Sequence, residues 1–247
     1  MNPGIYRRSI RITTSGNGAR AELEDDLHRF SVMLRHDGER VSAIEAVSVR
    51  YPWSLCGQAD TLLERLVGMP LSPDPLAVFR HTEGSGQCTH MFDLAGLAIA
   101  HAARGTPARS YDIAAPYFQE EGVRTLSLRR DGHDILHWTI NDTTLLAPPA
   151  FAGRDIRSLS LWAQGAFSDP DDVEAVVLLR RAVLISKARL QHWDRFATAA
   201  DTGHATGACY VFQPGVQERA LRMVGASREF TDAPGQLLSG LDSSGAM

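Results

Sequence analysis

Along the first fifty positions apolar and polar residues alternate, and the alternation is interrupted at Ser15-Gly16-Asn17-Gly18 and again at His36-Asp37-Gly38. A period of two punctuated by glycine reads as strands joined by tight turns. The pattern predicts an edge strand over about residues 5–14, a second strand over about 20–35 with Phe30, Val32 and Leu34 on one face, and a third through Val41, Ile44, Ala46, Val47 and Val49. On a continuous second strand Asp26 and His28, two positions apart, share a face.

Pro52 ends this antiparallel meander. From Gln58 to Leu66, residues Ala59, Leu62, Leu63 and Leu66 recur at helical spacing, and Gly68 with Pro70 stops the element. A connector punctuated by Pro70, Pro73 and Pro75 leads through Gly84-Ser85-Gly86 to a second helix, about residues 89–103, rich in alanine and suited to close packing on a sheet. Composition shifts at Gly105-Thr106-Pro107. Beyond it, Arg124 to Ile140 alternates about Asp131-Gly132 and predicts a hairpin. Further β-structure is expected at 156–163, and Ser168-Asp169-Pro170-Asp171-Asp172 opens a helix that runs to about Arg195. A short helix from Val216 to Met223 and a polar tail from Ser239 close the chain. The fold class expected is α+β: an antiparallel β-meander with helices on one face, extended by a second β-hairpin region and a long C-terminal helix. Residues 1–105 would form a metal-binding half, and residues 106–247 an extension packed on it.

Composition narrows the function classes. The 247 residues carry 29 acidic against 25 basic side chains, a net charge of -4, which gives no electrostatic case for nucleic acid or an anionic membrane. No run reaches the length needed to span a bilayer, and the N-terminus has no apolar core of a secretory signal. Three cysteines, an odd and sparse set, argue against a disulfide framework and for a reducing cytoplasm. Phosphate loops, dinucleotide fingerprints and nucleophile elbows are absent from the sequence, so no nucleotide cofactor is expected.

The densest chemistry is Cys88-Thr89-His90-Met91-Phe92-Asp93, a thiol, an imidazole and a carboxylate at a loop-to-helix junction. A helix N-terminus favours negative charge, so Cys88 there is expected to ionise more easily than a free thiol. The same residues also suit a plainer arrangement, with Thr89 as helix cap, Cys88 as a small buried hydrophobe and Asp93 as a surface charge.

The order of a hairpin (Phe30 to Gly38), a cysteine closing the meander (Cys56) and a Cys-Thr pair opening an alanine-rich helix (Cys88-Thr89) resembles the U-type iron–sulfur cluster assembly scaffold over roughly residues 20–105. The resemblance places Asp26 at the family's aspartate. Glu24 stands where the family has a first cysteine and Gln87 where it has a histidine. What it implies is a mononuclear site with ligands drawn from Asp26 or His28, Cys56, Cys88 and His90, holding zinc or iron(II). The Tyr6-Arg7-Arg8 opener, Pro52-Trp53-Ser54-Leu55-Cys56, Cys88-Thr89-His90 with Asp93-Leu94-Ala95, and Gly207-Ala208-Cys209 together resemble a bacterial family catalogued chiefly as a domain of unknown function.

Three ligands would leave an open position for Lewis-acid chemistry, and four would close the site. In the open form His28 is a candidate general base and Asp93 a candidate partner orienting His90. Arg50, Tyr51 and Trp53, beside Cys56, are candidates for binding a small and in part aromatic substrate. Cys209 reads as buried filler. The expectation is a metal-dependent enzyme on a small organic molecule, a lyase of retro-aldol type or a hydrolase. A metal or iron–sulfur carrier and a metal-free partner-binding protein are the alternatives, and the sequence leaves homo-oligomerisation open.

Overall fold

A computed structural model of the chain describes residues 4–116 and 122–240. The polar tail expected from Ser239 therefore lies, beyond Gly240, outside the described residues. The strands are β1 (Ile5–Ser15), β2 (Gly18–Asp25), β3 (Arg29–His36) and β4 (Val41–Arg50), followed by a 3-10 helix, Cys56–Leu66, and the helices α1 (Val78–His81) and α2 (Thr89–Arg104). Then come β5 (Ala108–Pro116), β6 (Val123–Arg130), β7 (His133–Asn141), β8 (Thr144–Ala147), α3 (Leu159–Ala166) and α4 (Pro170–Ser186). Hydrogen-bonded neighbours follow the order β4-β3-β2-β1-β5-β6-β7-β8. The protein is thus α+β, and β1 is an interior strand flanked by β2 and β5 rather than the edge strand expected. Among the described residues no helix is long and apolar enough to cross a membrane.

The chain forms two compact units. The first comprises Met1–Ser9, Ser110–Gln191 and Glu229–Leu237, and the second Ile10–Arg109, His192–Arg228 and Leu238–Met247. Residues 10–109 and 192–228 both belong to the second unit.

In the first unit β6 and β7 pair about Asp131 (φ 51°) and Gly132 (φ 82°), the two positive-φ positions that a hairpin of this hand requires. Trp138, Ile140, Leu126 and Leu128 from this hairpin are fully buried. Residues 156–163 are helical rather than β: a 3-10 turn Ile156–Ser158, capped by the Asp155 side chain on Arg157 N–H, runs into α3. Helix α4 opens on Asp169, which accepts from Asp171 N–H at 2.9 Å, with Pro170 in the first turn and Asp171 and Asp172 at the positive end of the dipole. It ends at Ser186, short of Arg195, and passes into a 3-10 helix, Lys187–Leu190.

In the second unit β2, β3 and β4 form an antiparallel set, with Ala21 opposite Val32 and Val32 opposite Ala46. Ala19, Ala21, Leu23, Phe30, Val32 and Leu34 are buried, and α2 packs on β2 and β3. What was expected as one strand over 20–35 is two, because the chain turns back between Asp25 and Arg29. Asp26 and His28 therefore sit in a tight turn and not on one strand face. The element at 56–66 is a 3-10 helix that buries Ala59, Leu63 and Leu66. Residues 216–223 form turns and two isolated bridges, Trp53 with Arg222 and Thr198 with Leu221, where a helix was expected.

Candidate metal centre

The turn between β2 and β3 is built by one side chain. Asp25 is fully buried, and its Oδ1 accepts the backbone N–H groups of Leu27 and His28, each at 2.8 Å, while its own N–H donates to His28 O at 2.9 Å. An aspartate that accepts from backbone amides two and three residues ahead makes an Asx-type turn without glycine or proline. The same Oδ1 lies 3.0 Å from His28 Nδ1. An ionised carboxylate only accepts, so Nδ1 is the donor in this contact.

His90, in the first turn of α2, meets His28 from the helix side. The two rings stack with centroids 3.9 Å apart, and both side chains are buried at 5% and 9% exposure. Phe30 stacks on His28 at 5.8 Å and on Tyr51 at 6.4 Å, continuing the column of rings. Asp25, His28 and His90 each offer a ligand atom within 4.8 Å of the others, the one such group of three among the described residues.

None of the other sequence candidates joins this group. Asp26, next to Asp25, is fully buried, and its carbonyl accepts from Arg228 N–H at 2.7 Å. Arg50 turns its guanidinium inward: Nη1 donates to Asp26 O (3.1 Å) and Ala226 O (3.0 Å), and Nη2 to Asp25 O (2.5 Å), Glu24 Oε1 (3.1 Å) and His28 O (3.3 Å). It thus clamps three carbonyls of the turn. Trp53 is buried, edge-on to Trp193 at 5.9 Å, in the apolar interior of the second unit. Asp93 is half-buried in α2, and its charge acts on the Cys88 thiol.

Cys88, rather than Thr89, occupies the cap position of α2. Burial pushes its thiol up to about 12, with the neighbouring Cys209 adding to the rise; the backbone amides of Met91 and His90 pull the other way and lose. The expected ease of ionisation is therefore overturned: at a buried helix start, desolvation outweighs the dipole. Burial likewise raises Cys56 well above the ordinary thiol range, with Cys88 and Cys209 contributing next. All three cysteines are free thiols, and Cys209 is the more exposed. In the native protein near about pH 8, iodoacetamide is expected to modify Cys209 first, and Cys56 at least about tenfold more slowly until denaturant is added. Peptide mass mapping over a time course reads the order, and equal rates would contradict it.

Asp25 is the residue that sequence reasoning passed over. Its signal was the acidic run Glu24-Asp25-Asp26 ahead of Leu27-His28, a turn composition hidden by the apolar alternation on either side. No curated protein and no solved structure matches the chain. Residues 10–104, from within β1 to the last residue of α2, match the model of a family described as protein of unknown function (DUF2889).

Proposed function

We propose that the second unit houses a mononuclear metal centre, zinc or iron(II), in an enzyme that acts on a small organic molecule, as a lyase of retro-aldol type or a hydrolase. The observation that carries this reading is the convergence of one carboxylate and two imidazoles in a buried place. Two histidines and a carboxylate suit either ion and leave coordination positions for water or substrate. Asp25, His28 and His90 would hold the ion. When bound, it would supply Lewis-acid polarisation of a carbonyl or a more acidic water.

The chain's own groups set the terms of that chemistry. Before an ion binds, the Asp25 carboxylate holds the plane of His28 through the 3.0 Å contact. Phe30, stacked beside His28, keeps the imidazoles in an apolar wall that strengthens their interaction with charge. The same hydrogen bond supports a second reading, in which Asp25 and His28 form a metal-free acid–base pair with Nε2 as the base.

Elemental analysis of freshly purified protein separates the two. The metal reading expects about one equivalent per chain, lost in His28→Ala and His90→Ala, with Asp25→Asn weakening metal affinity about 10–100-fold. A wild type without metal, or histidine variants that retain a full equivalent, would overturn it.

A further inference from the structure

We propose that Cys88 and Cys209 form a redox site: on oxidation by a hydroperoxide they join in a reversible disulfide that staples the segment 192–228 to the start of α2. The two thiols come from distant parts of the chain, and both lie in the second unit. Tyr210 N–H donates to Gln87 O at 2.9 Å, and the Gln213 side-chain amide donates to Ser85 O at 2.8 Å and to Cys209 O at 3.3 Å. Residue numbers fall along one segment as they rise along the other, so the two run antiparallel. The first bond joins the residue after Cys209 to the residue before Cys88. In antiparallel chains that pattern sets the two cysteines opposite one another, in the non-hydrogen-bonded position where side chains approach most closely. Both have extended backbones, Cys88 at φ −69°, ψ 115° and Cys209 at φ −161°, ψ −176°. In pairs of that kind the α-carbons stand about 4.5 Å apart, within the span of about 4.4–6.8 Å that a disulfide bridges. The inference does not depend on the metal reading, because neither thiol belongs to the group of Asp25, His28 and His90.

Electrostatics agrees with the backbone: after burial, Cys209 is the largest influence on the Cys88 thiol. Exposure then assigns the roles. Cys209 is the more exposed of the two and Cys88 is buried, so an oxidant meets Cys209 first. The Cys209 sulfur attacks the O–O bond of hydrogen peroxide, giving a sulfenic acid and one water. The Cys88 sulfur then displaces the hydroxyl group, giving the S–S bond and a second water. The two thiol protons leave in the waters, the sulfurs are oxidised by two electrons and the peroxide is reduced by two. Burial keeps both thiols protonated, so the reaction is slow and the site answers to sustained rather than brief oxidation. Thiol exchange with a small dithiol reverses it.

Treating the full chain at low concentration with hydrogen peroxide, blocking it with iodoacetamide in denaturant and mapping its peptides by mass without reduction tests the assignment. The expected result is one intramolecular cross-link, Cys88 to Cys209, in most chains, and its loss on adding dithiothreitol. Oxidation is also expected to raise the urea midpoint of the second unit, read from Trp53 and Trp193 fluorescence, by about 1 M, because the bond closes a long loop. Cys209→Ser should abolish both effects, and Cys56→Ser, which keeps the pair, neither. In the urea-unfolded chain the three thiols should instead pair as a mixture. No cross-link, a dominant bond to Cys56, a mixture of pairings in the native protein, or Cys209 driven to sulfinic acid while Cys88 stays a free thiol would each overturn the proposal. So would a peroxide-induced rise in the midpoint that survives Cys209→Ser.

Discussion

Arg50→Met is expected to destabilise the second unit by about 3 kcal/mol, the low end of what removing one partner from a buried ion pair costs. Methionine keeps most of the volume, so the loss isolates the guanidinium. Five acceptors depend on that group: the carbonyls of Asp25, Asp26, His28 and Ala226, and the Glu24 carboxylate. Three of them keep another donor: Asp26 O also accepts from Arg228 N–H, His28 O from Asp25 N–H, and the Glu24 carboxylate from Leu238 N–H. That redundancy places the cost at the low end. Arg50→Lys is expected to recover less than half of the loss, because an ammonium is a point donor that cannot span acceptors on both sides of a planar fork. Urea unfolding followed by the fluorescence of Trp53 and Trp193, which meet edge-on within the same unit, reads the effect. The second readout is metal content: the clamp fixes the turn that carries Asp25 and His28, so under the proposed function Arg50→Met should also shed metal. A variant as stable as the wild type would return Arg50 to the substrate-binding role its sequence position suggested.

The contrast at Arg50 shows where the sequence was legible. Alternation with glycine turns announced the meander, and Asp131-Gly132 announced the β6–β7 hairpin, because both signals are local. The turn at Asp25–His28 was missed for a physical reason: its reversal is made by an aspartate side chain on two amides, so no glycine or proline marks it. Residues 156–163 combine Ile156, Leu159, Leu161 and Trp162 in a short apolar run, and such runs do not separate strand from helix by periodicity. At the site, the sequence groups His28 and His90 with Asp26, Cys56 and Cys88 as candidate ligands, while the stacking of the two rings depends on pairing that no local pattern encodes. Cys88 shows the opposite error, in which a valid local effect, the helix dipole, was weighed without the burial that opposes it.

The tightest backbone approach in the second unit gives the other large effect. Gly96 lies midway along α2, where a β-carbon would stand 2.3 Å from Pro75 O and 3.3 Å from Val78 Cγ2. A flexible side chain could yield at such a distance; a carbonyl held in a turn cannot do so cheaply. Pro75 is held on both sides, with the Asp74 side chain accepting from Leu76 N–H at 2.9 Å and Asp74 O from Ala77 N–H at 3.0 Å. Gly96→Ala gains about 1 kcal/mol of helix propensity. Against that stands overpacking, which costs about 1–3 kcal/mol and more where backbone must move. The steric term wins, and a net loss of about 2 kcal/mol is expected, with the urea midpoint of the Trp53 and Trp193 signal shifting down. Gly165→Ala in α3 is the matched control: nothing stands within 4 Å of its would-be β-carbon and the site is exposed, so the same substitution should stabilise its own unit by up to about 1 kcal/mol. Opposite signs for one chemical change at two helical glycines would tie the effect to the Pro75 carbonyl, and a neutral or stabilising Gly96→Ala would show that α2 does not press on the connector as described.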